Sequence, residues 1–237
     1  MAIKQQVDPH KYNLSEVNRV NTLPWPRWHS TPPAEFTKVP LKEEYALRTM
    51  DYLDTPEARP IFELQADIIV KNNIKGIVDV GCRIGIINDI LYERGYTNYN
   101  YMGFDTSREP IEYAKDVWNE FSNIEYRCES MYNKDRISVE FNVDCVIWSG
   151  ILLYNPSNHL ELFNDLTVNF YKAPHAIIQE PCANQDDNKF LKNVELNTIE
   201  HELCLYKEKY PFYEDWVVDA DIFSGRRRIA HVCTSTQ

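Results

Sequence analysis

The chain has 237 residues, 43% hydrophobic and 26% charged, a globular balance that argues against disorder over most of its length. Its formal net charge of −11 repels phosphate backbones, so nucleic acid is not an expected substrate. No apolar stretch nears the ~18 residues of a bilayer span, and the first 19 residues hold no apolar signal core; a cytoplasmic protein with no membrane partner is expected.

Residues 1–50 form an arm of their own. The stretch LPWPRWHSTPPAEFTKVP is rich in Pro and Trp, has no helical or strand period, and reads as an extended segment packed on the main domain or on a partner chain. Residues 51–237 read as one domain. Pro60 opens a helix with Ile61, Leu64, Ile68 and Ile69 at helical spacing. Gly76 to Val80 is a buried strand, followed by a helix on Ile87, Ile90 and Leu91. Tyr99 to Phe104 is a second strand ended by Asp105, and Ser107 is placed to cap a third helix on Ile111, Ala114, Trp118 and Phe121. Strands follow at Ile124 to Cys128, Val143 to Trp148 and Ala176 to Gln179, with a helix on Leu162, Phe163, Leu166 and Phe170 between the last two. Asp215 to Phe223 and Arg227 to Cys233, joined by Ser224-Gly225, read as an antiparallel hairpin.

Strands alternating with helices predict an α/β, doubly wound, mostly parallel sheet ending in that hairpin. The chain has only 7 glycines, and Gly76, Gly81, Gly85, Gly95, Gly103 and Gly150 fall at predicted element ends. The six cysteines (82, 128, 145, 182, 204 and 233) show no C-x-x-C spacing and read as reduced, buried thiols; no metal site is expected. Arg226-Arg227-Arg228 reads as a solvated strand or turn edge, and His159 and His175 as lone histidines with little claim to be a general base.

The chemistry is expected at Asp79-Val80-Gly81-Cys82-Arg83-Ile84-Gly85. A glycine turn between a buried strand and a helix lets a ligand lie close over backbone N–H groups. Asp105 ends the next strand, 20 residues beyond Gly85, where a carboxylate can accept both hydroxyls of a ribose. The G-x-G-x-x-G spacing of dinucleotide enzymes is absent, and Asp79 suits a cation better than a pyrophosphate. Structural readings stand beside these: Asp79 or Asp105 as caps for backbone N–H groups, Trp148 as core.

These motifs resemble those of the class I S-adenosylmethionine-dependent methyltransferases. VDVGCRIG is similar to the first motif, GFDTS to the second, VDCVIWSGILLY to the fourth and IIQEP to the fifth strand. The resemblance implies S-adenosylmethionine as cofactor, with Asp79, Gly81, Cys82 and Gly85 at its methionine end. It puts Asp105 and Thr106 at the ribose, Ser130 and Met131 at the adenine, and Trp148 and Ser149 closing the pocket. Arg83 stands where the family has a middle glycine, Ser130 where Asp is usual, and Leu153 where His is common. The implied activity is methyl transfer to O, N or C of a small molecule. The alternative is a non-catalytic protein of the same fold that docks on a larger assembly. Tyr154 and Glu180 are weak candidates for a catalytic group, and the aromatic arm is expected to cover the site or to bind a protein partner.

Overall fold

The computed structural model describes residues 2–12, 58–152, 159–181, 205–219 and 226–234. A short 3-10 turn at Pro9–Lys11 precedes helix α1 (Arg59–Lys71), strand β1 (Gly76–Val80), α2 (Ile86–Glu93), β2 (Asn100–Asp105), α3 (Arg108–Val117) and β3 (Ile124–Cys128). Then come α4 (Lys134–Ile137), β4 (Cys145–Ser149), α5 (His159–Phe163), β5 (His175–Pro181), β6 (Phe212–Asp219) and β7 (Arg226–Cys233).

The seven strands form one sheet in the order β3-β2-β1-β4-β5-β7-β6. Strands β1 to β5 run parallel, and β7 lies antiparallel between β5 and β6. All five residues of β1 are buried, as expected of a parallel strand covered on both faces, and Asp79 alone interrupts its apolar run. One face is covered by α1, α2 and α3, whose Ile61, Ile69, Ile87, Ile90 and Ile111 meet Ile77, Ile147, Ile177 and Ile229 of the sheet. The other face carries Val78, Val80, Val146 and Trp148 against Phe163, Leu166 and Tyr206.

Three local differences from the sequence reading stand out. The helix after β4 widens at Asn164–Phe170 into a π-helix, closed by the Tyr171 amide on the Leu166 carbonyl at 2.9 Å. Strand β4 begins at Cys145, after Val143, because the Asp144 carboxylate accepts the amides of Lys75 (2.7 Å) and Gly76 (2.9 Å) and pins the entry to β1. Ser107 sits at the N-cap of α3 without a side-chain cap bond, and its own amide donates to Asp105 Oδ1 at 2.7 Å, which fixes the turn into the helix.

Residues 2–12 lie along α2 and α3. The Gln5 amide donates to the Val117 carbonyl (2.9 Å), Lys4 pairs with Asp89, and the Tyr12 hydroxyl donates to Asp116. The rest of the predicted arm, with Trp25, Trp28, Phe36 and Tyr45, lies outside the described residues. So does the predicted hairpin turn at Ser224-Gly225. No described helix is long and apolar enough to cross a membrane.

Candidate functional site

The strand order reverses direction between β1 and β4. Beyond the carboxyl ends of these two strands a doubly wound sheet opens a crevice, because the connecting helices leave to opposite faces. Asp79, the Gly81–Gly85 loop, Asp105 and Ser149 stand at the carboxyl ends of β1, β2 and β4.

The loop after β1 is set by backbone bonds. The amides of Gly81 and Cys82 both donate to the Phe104 carbonyl, at 2.9 and 3.2 Å, and the Gly85 amide donates to Cys82 at 2.8 Å. Gly81 and Gly85 have φ of +73° and +71°, conformations open to glycine without strain. Arg83 takes φ of +49°, so the position where the family has glycine keeps the glycine-type backbone under an arginine. That conformation costs an L-residue about 1–2 kcal/mol, and its surroundings hold it there: Arg83 is buried and its amide donates to Asp105 Oδ2 at 3.2 Å.

Asp105 thus receives one N–H on each oxygen, from Arg83 and from Ser107. An ionised carboxylate offers about four acceptor positions, so about two remain for a ligand diol. Thr106 follows it, its carbonyl accepting the Cys128 thiol at 3.7 Å.

Asp79 lies under the loop, 5% exposed. The Tyr101 hydroxyl donates to its Oδ2 at 2.9 Å, while Oδ1 has no hydrogen-bond partner among the described residues. Burial raises its pKa to about 7, the nearby Asp105 charge adds to the rise, and the Tyr101 bond opposes it. A cation reaching this carboxylate would satisfy the orphaned oxygen. Cys82 is buried beside it, its thiol pushed well up by burial and then by the charges of Asp79 and Asp105, so it is no nucleophile.

Across the crevice, Ser149 ends β4 and its Oγ accepts from the Gln65 amide of α1 at 3.2 Å. Gln65 is 1% exposed, with Oε1 unpartnered among the described residues. Gly150 turns the chain at φ +68°, its amide on the Gln179 carbonyl at 2.7 Å. Glu180 is fully buried, and its Oε1 accepts the Leu152 amide at 2.8 Å, which places it as a positioning group for residues 150–152. Ile151 reaches over the loop; a Cβ on Gly81 would overlap its side chain.

The remaining sites are spread more widely. Ser130 and Met131 follow β3, where Ser130 Oγ accepts the Tyr132 amide at 3.3 Å and Met131 packs on the core under β4. The Trp148 side chain is in that core too, fully buried, its indole donating to Thr167 at 3.0 Å. Its backbone stands at the strand end, and its ring faces the opposite layer from Asp79. Tyr154 and Leu153 lie outside the described residues. Gln65, Tyr101 and Ile151 were not singled out in the sequence; only Gln65 left a signal, a polar residue four places after Ile61 on the apolar stripe of α1.

No family model and no curated protein sequence matches the chain. Solved structures do. The N-methyltransferase NodS of Bradyrhizobium japonicum WM9, in complex with S-adenosyl-L-homocysteine, aligns with a TM-score of 0.57 at 13% identity, over 77% of this chain and 90% of its own. The plantazolicin methyltransferase BpumL, also with S-adenosylhomocysteine, aligns at 0.55 and 13% identity over 85% and 93%. Magnesium protoporphyrin IX methyltransferase of Synechocystis PCC 6803, with bound S-adenosylmethionine, aligns at 0.52 and 13% over 75% and 80%. With the strand order, the inserted antiparallel β7 and the glycine loop at the β1–β4 edge, these likenesses show that the chain has the class I methyltransferase fold.

Proposed function

We propose that this protein binds S-adenosylmethionine at the β1–β4 edge and methylates a small-molecule acceptor. The observation that carries the reading is the buried Asp79 carboxylate, with one oxygen unpartnered, under a loop whose glycine backbone a ligand can approach. A carboxylate so placed suits a cation and disfavours a pyrophosphate. Asp105 keeps about two acceptor positions for a ribose diol, and Ser130 and Met131 stand after β3, where adenine would lie.

The chemistry supplied on binding is an electrophilic methyl carbon with a neutral thioether as leaving group. The protein's part is then to orient and to desolvate. Gly81 and Gly85 allow the backbone to approach, Asp105 fixes the ribose end, and Glu180 and Gln65 hold the strand ends that face the acceptor. No protein nucleophile is required.

Calorimetry and thermal unfolding of the full chain test the reading. At 100 times the dissociation constant, a ligand adds about 2.7 kcal/mol of stability, a melting shift of roughly 5–10 °C for a chain of this size. A shift with S-adenosylmethionine or S-adenosylhomocysteine and none with NAD is expected; the reverse pattern overturns the proposal.

One observation favours a second reading, a binding protein of this fold without turnover. The Ile151 side chain lies against Gly81, on the face a bound cofactor would share. Cofactor binding without methyl transfer to any acceptor in cell extracts would select it. A lid or partner-docking role for the arm rests on residues 13–50, outside the described residues, and deletion of residues 1–40 tests it through cofactor affinity.

A further inference from the structure

We propose that His175, His231 and Cys233 form a zinc site that clips β7 to β5 at the edge of the sheet opposite the glycine loop. The antiparallel register puts His175 directly across from Cys233 and Ile177 across from His231. Residues 231 and 233 share one face of β7, and the pairing puts His175 on that same face. His175 begins β5, four residues before Gln179, whose carbonyl meets the Gly150 amide at the cofactor edge; at the rise of a strand that is about 13 Å away.

Two of the three donor–donor distances already stand near the spacing a metal imposes, and the third would close by side-chain rotation. His175 Nδ1 is 3.1 Å from His231 Nε2 and 3.4 Å from Cys233 Sγ, and all three ligand atoms lie within 4.8 Å of one another. A tetrahedral zinc, 2.0–2.1 Å from nitrogen and about 2.3 Å from sulfur, holds such atoms roughly 3.3–3.6 Å apart. The bland alternative is a hydrogen-bonded trio. It asks one nitrogen, His175 Nδ1, to serve both contacts, since in either tautomer it offers a single in-plane N–H or lone pair to the His231 ring and the Cys233 sulfur. Three donor atoms within 4.8 Å of one another are close enough to share one ion, and two imidazoles with a thiolate are a ligand set suited to zinc.

The surroundings fit. His231 and Cys233 are 3% and 7% exposed, whereas His175 is only partly buried and leaves a path for the ion. Phe212 packs its ring edge on His231, and Cys145 of β4 flanks His175 in register. Glu214 is the β6 partner of His231 and is partly exposed; its carboxylate or a water takes the fourth position. Binding exchanges the Cys233 thiol proton, released to solvent, for a sulfur–zinc bond, with no change of oxidation state. The sequence gives no C-x-x-C warning because the ligands come from strands more than 50 residues apart, closed only by the sheet.

The test uses the full chain stripped with a chelator and then titrated with zinc chloride, read by metal content and thermal unfolding. One zinc per chain and a raised melting temperature are expected. In Cys233→Ser or His175→Gln, zinc affinity should fall at least about 100-fold, beyond the 10- to 100-fold cost of losing a supporting group. Should Cys233→Ser not fold, His175→Gln and the absorption of cobalt-loaded wild type decide. A sulfur-ligated tetrahedral cobalt spectrum supports the site. An octahedral spectrum, no zinc uptake by wild type, or uptake undiminished in His175→Gln overturns it.

Discussion

Asp79→Asn should change how stability depends on pH. The wild-type carboxyl is buried and keeps its proton to about pH 7, against an ordinary value of 3.8. Between those values the native state binds more protons than the unfolded chain, so stability falls as pH rises, and the loss is complete above about pH 7. From pH 5 to pH 8 this contribution comes to roughly 2–3 kcal/mol. His159 and His231 act with the opposite sign, because burial lowers each to about 4 and the unfolded chain takes up their protons below 6.5. The Asp79 contribution is therefore read as a difference. Urea unfolding of wild type and Asp79→Asn at pH 5, 6, 7 and 8 should show the variant gaining on wild type by that amount as pH rises. A constant offset is expected as well, because the asparagine N–H group is a new buried donor; an unpartnered one costs about 1–3 kcal/mol at every pH. Curves that stay parallel from pH 5 to pH 8 would refute the reasoning.

Asp105→Ala removes a ribose acceptor and also the partner of two loop amides. Calorimetry should show S-adenosylmethionine affinity reduced about 10- to 100-fold, and unfolding should show a stability loss of about 1–3 kcal/mol; unchanged affinity in a folded variant reduces Asp105 to a cap. Gly81→Ala combines a left-handed φ with overlap on Ile151. It should destabilise by more than the about 1–2 kcal/mol of the backbone alone, and adding Ile151→Ala should recover the excess; a double variant no more stable than Gly81→Ala would show that Ile151 is not the obstacle.

Much of this fold was legible because its strands are punctuated. Gly76 and Gly81 bracket β1, Asp105 ends β2, and Ser224-Gly225 between two apolar segments marks the hairpin. What stayed hidden has a common cause: a strand buried on both faces carries no mark of which face is which. Trp148 and Asp79 both sit in apolar runs, yet one ring is locked to Thr167 and the other side chain waits under the loop. Nor does a single residue reveal its partner in a distant element. Glu180, a weak catalytic candidate in the sequence, gives no sign there of the Leu152 amide that its carboxylate accepts. The π-helical turn has no signature in Leu162, Phe163, Leu166 and Phe170, whose spacing fits an α-helix equally well.

The place of β7 bears on how the chain is made. It follows every other strand in sequence, yet it lies inside the sheet, joined to β5 on one side and β6 on the other. A nascent chain ending before residue 226 therefore has two bare strand edges, β5 and β6, with no strand to pair them. Unpaired edges of this kind recruit other chains. The β5 edge therefore stays bare during synthesis from the completion of β5 until its seam of seven residue pairs with β7 closes.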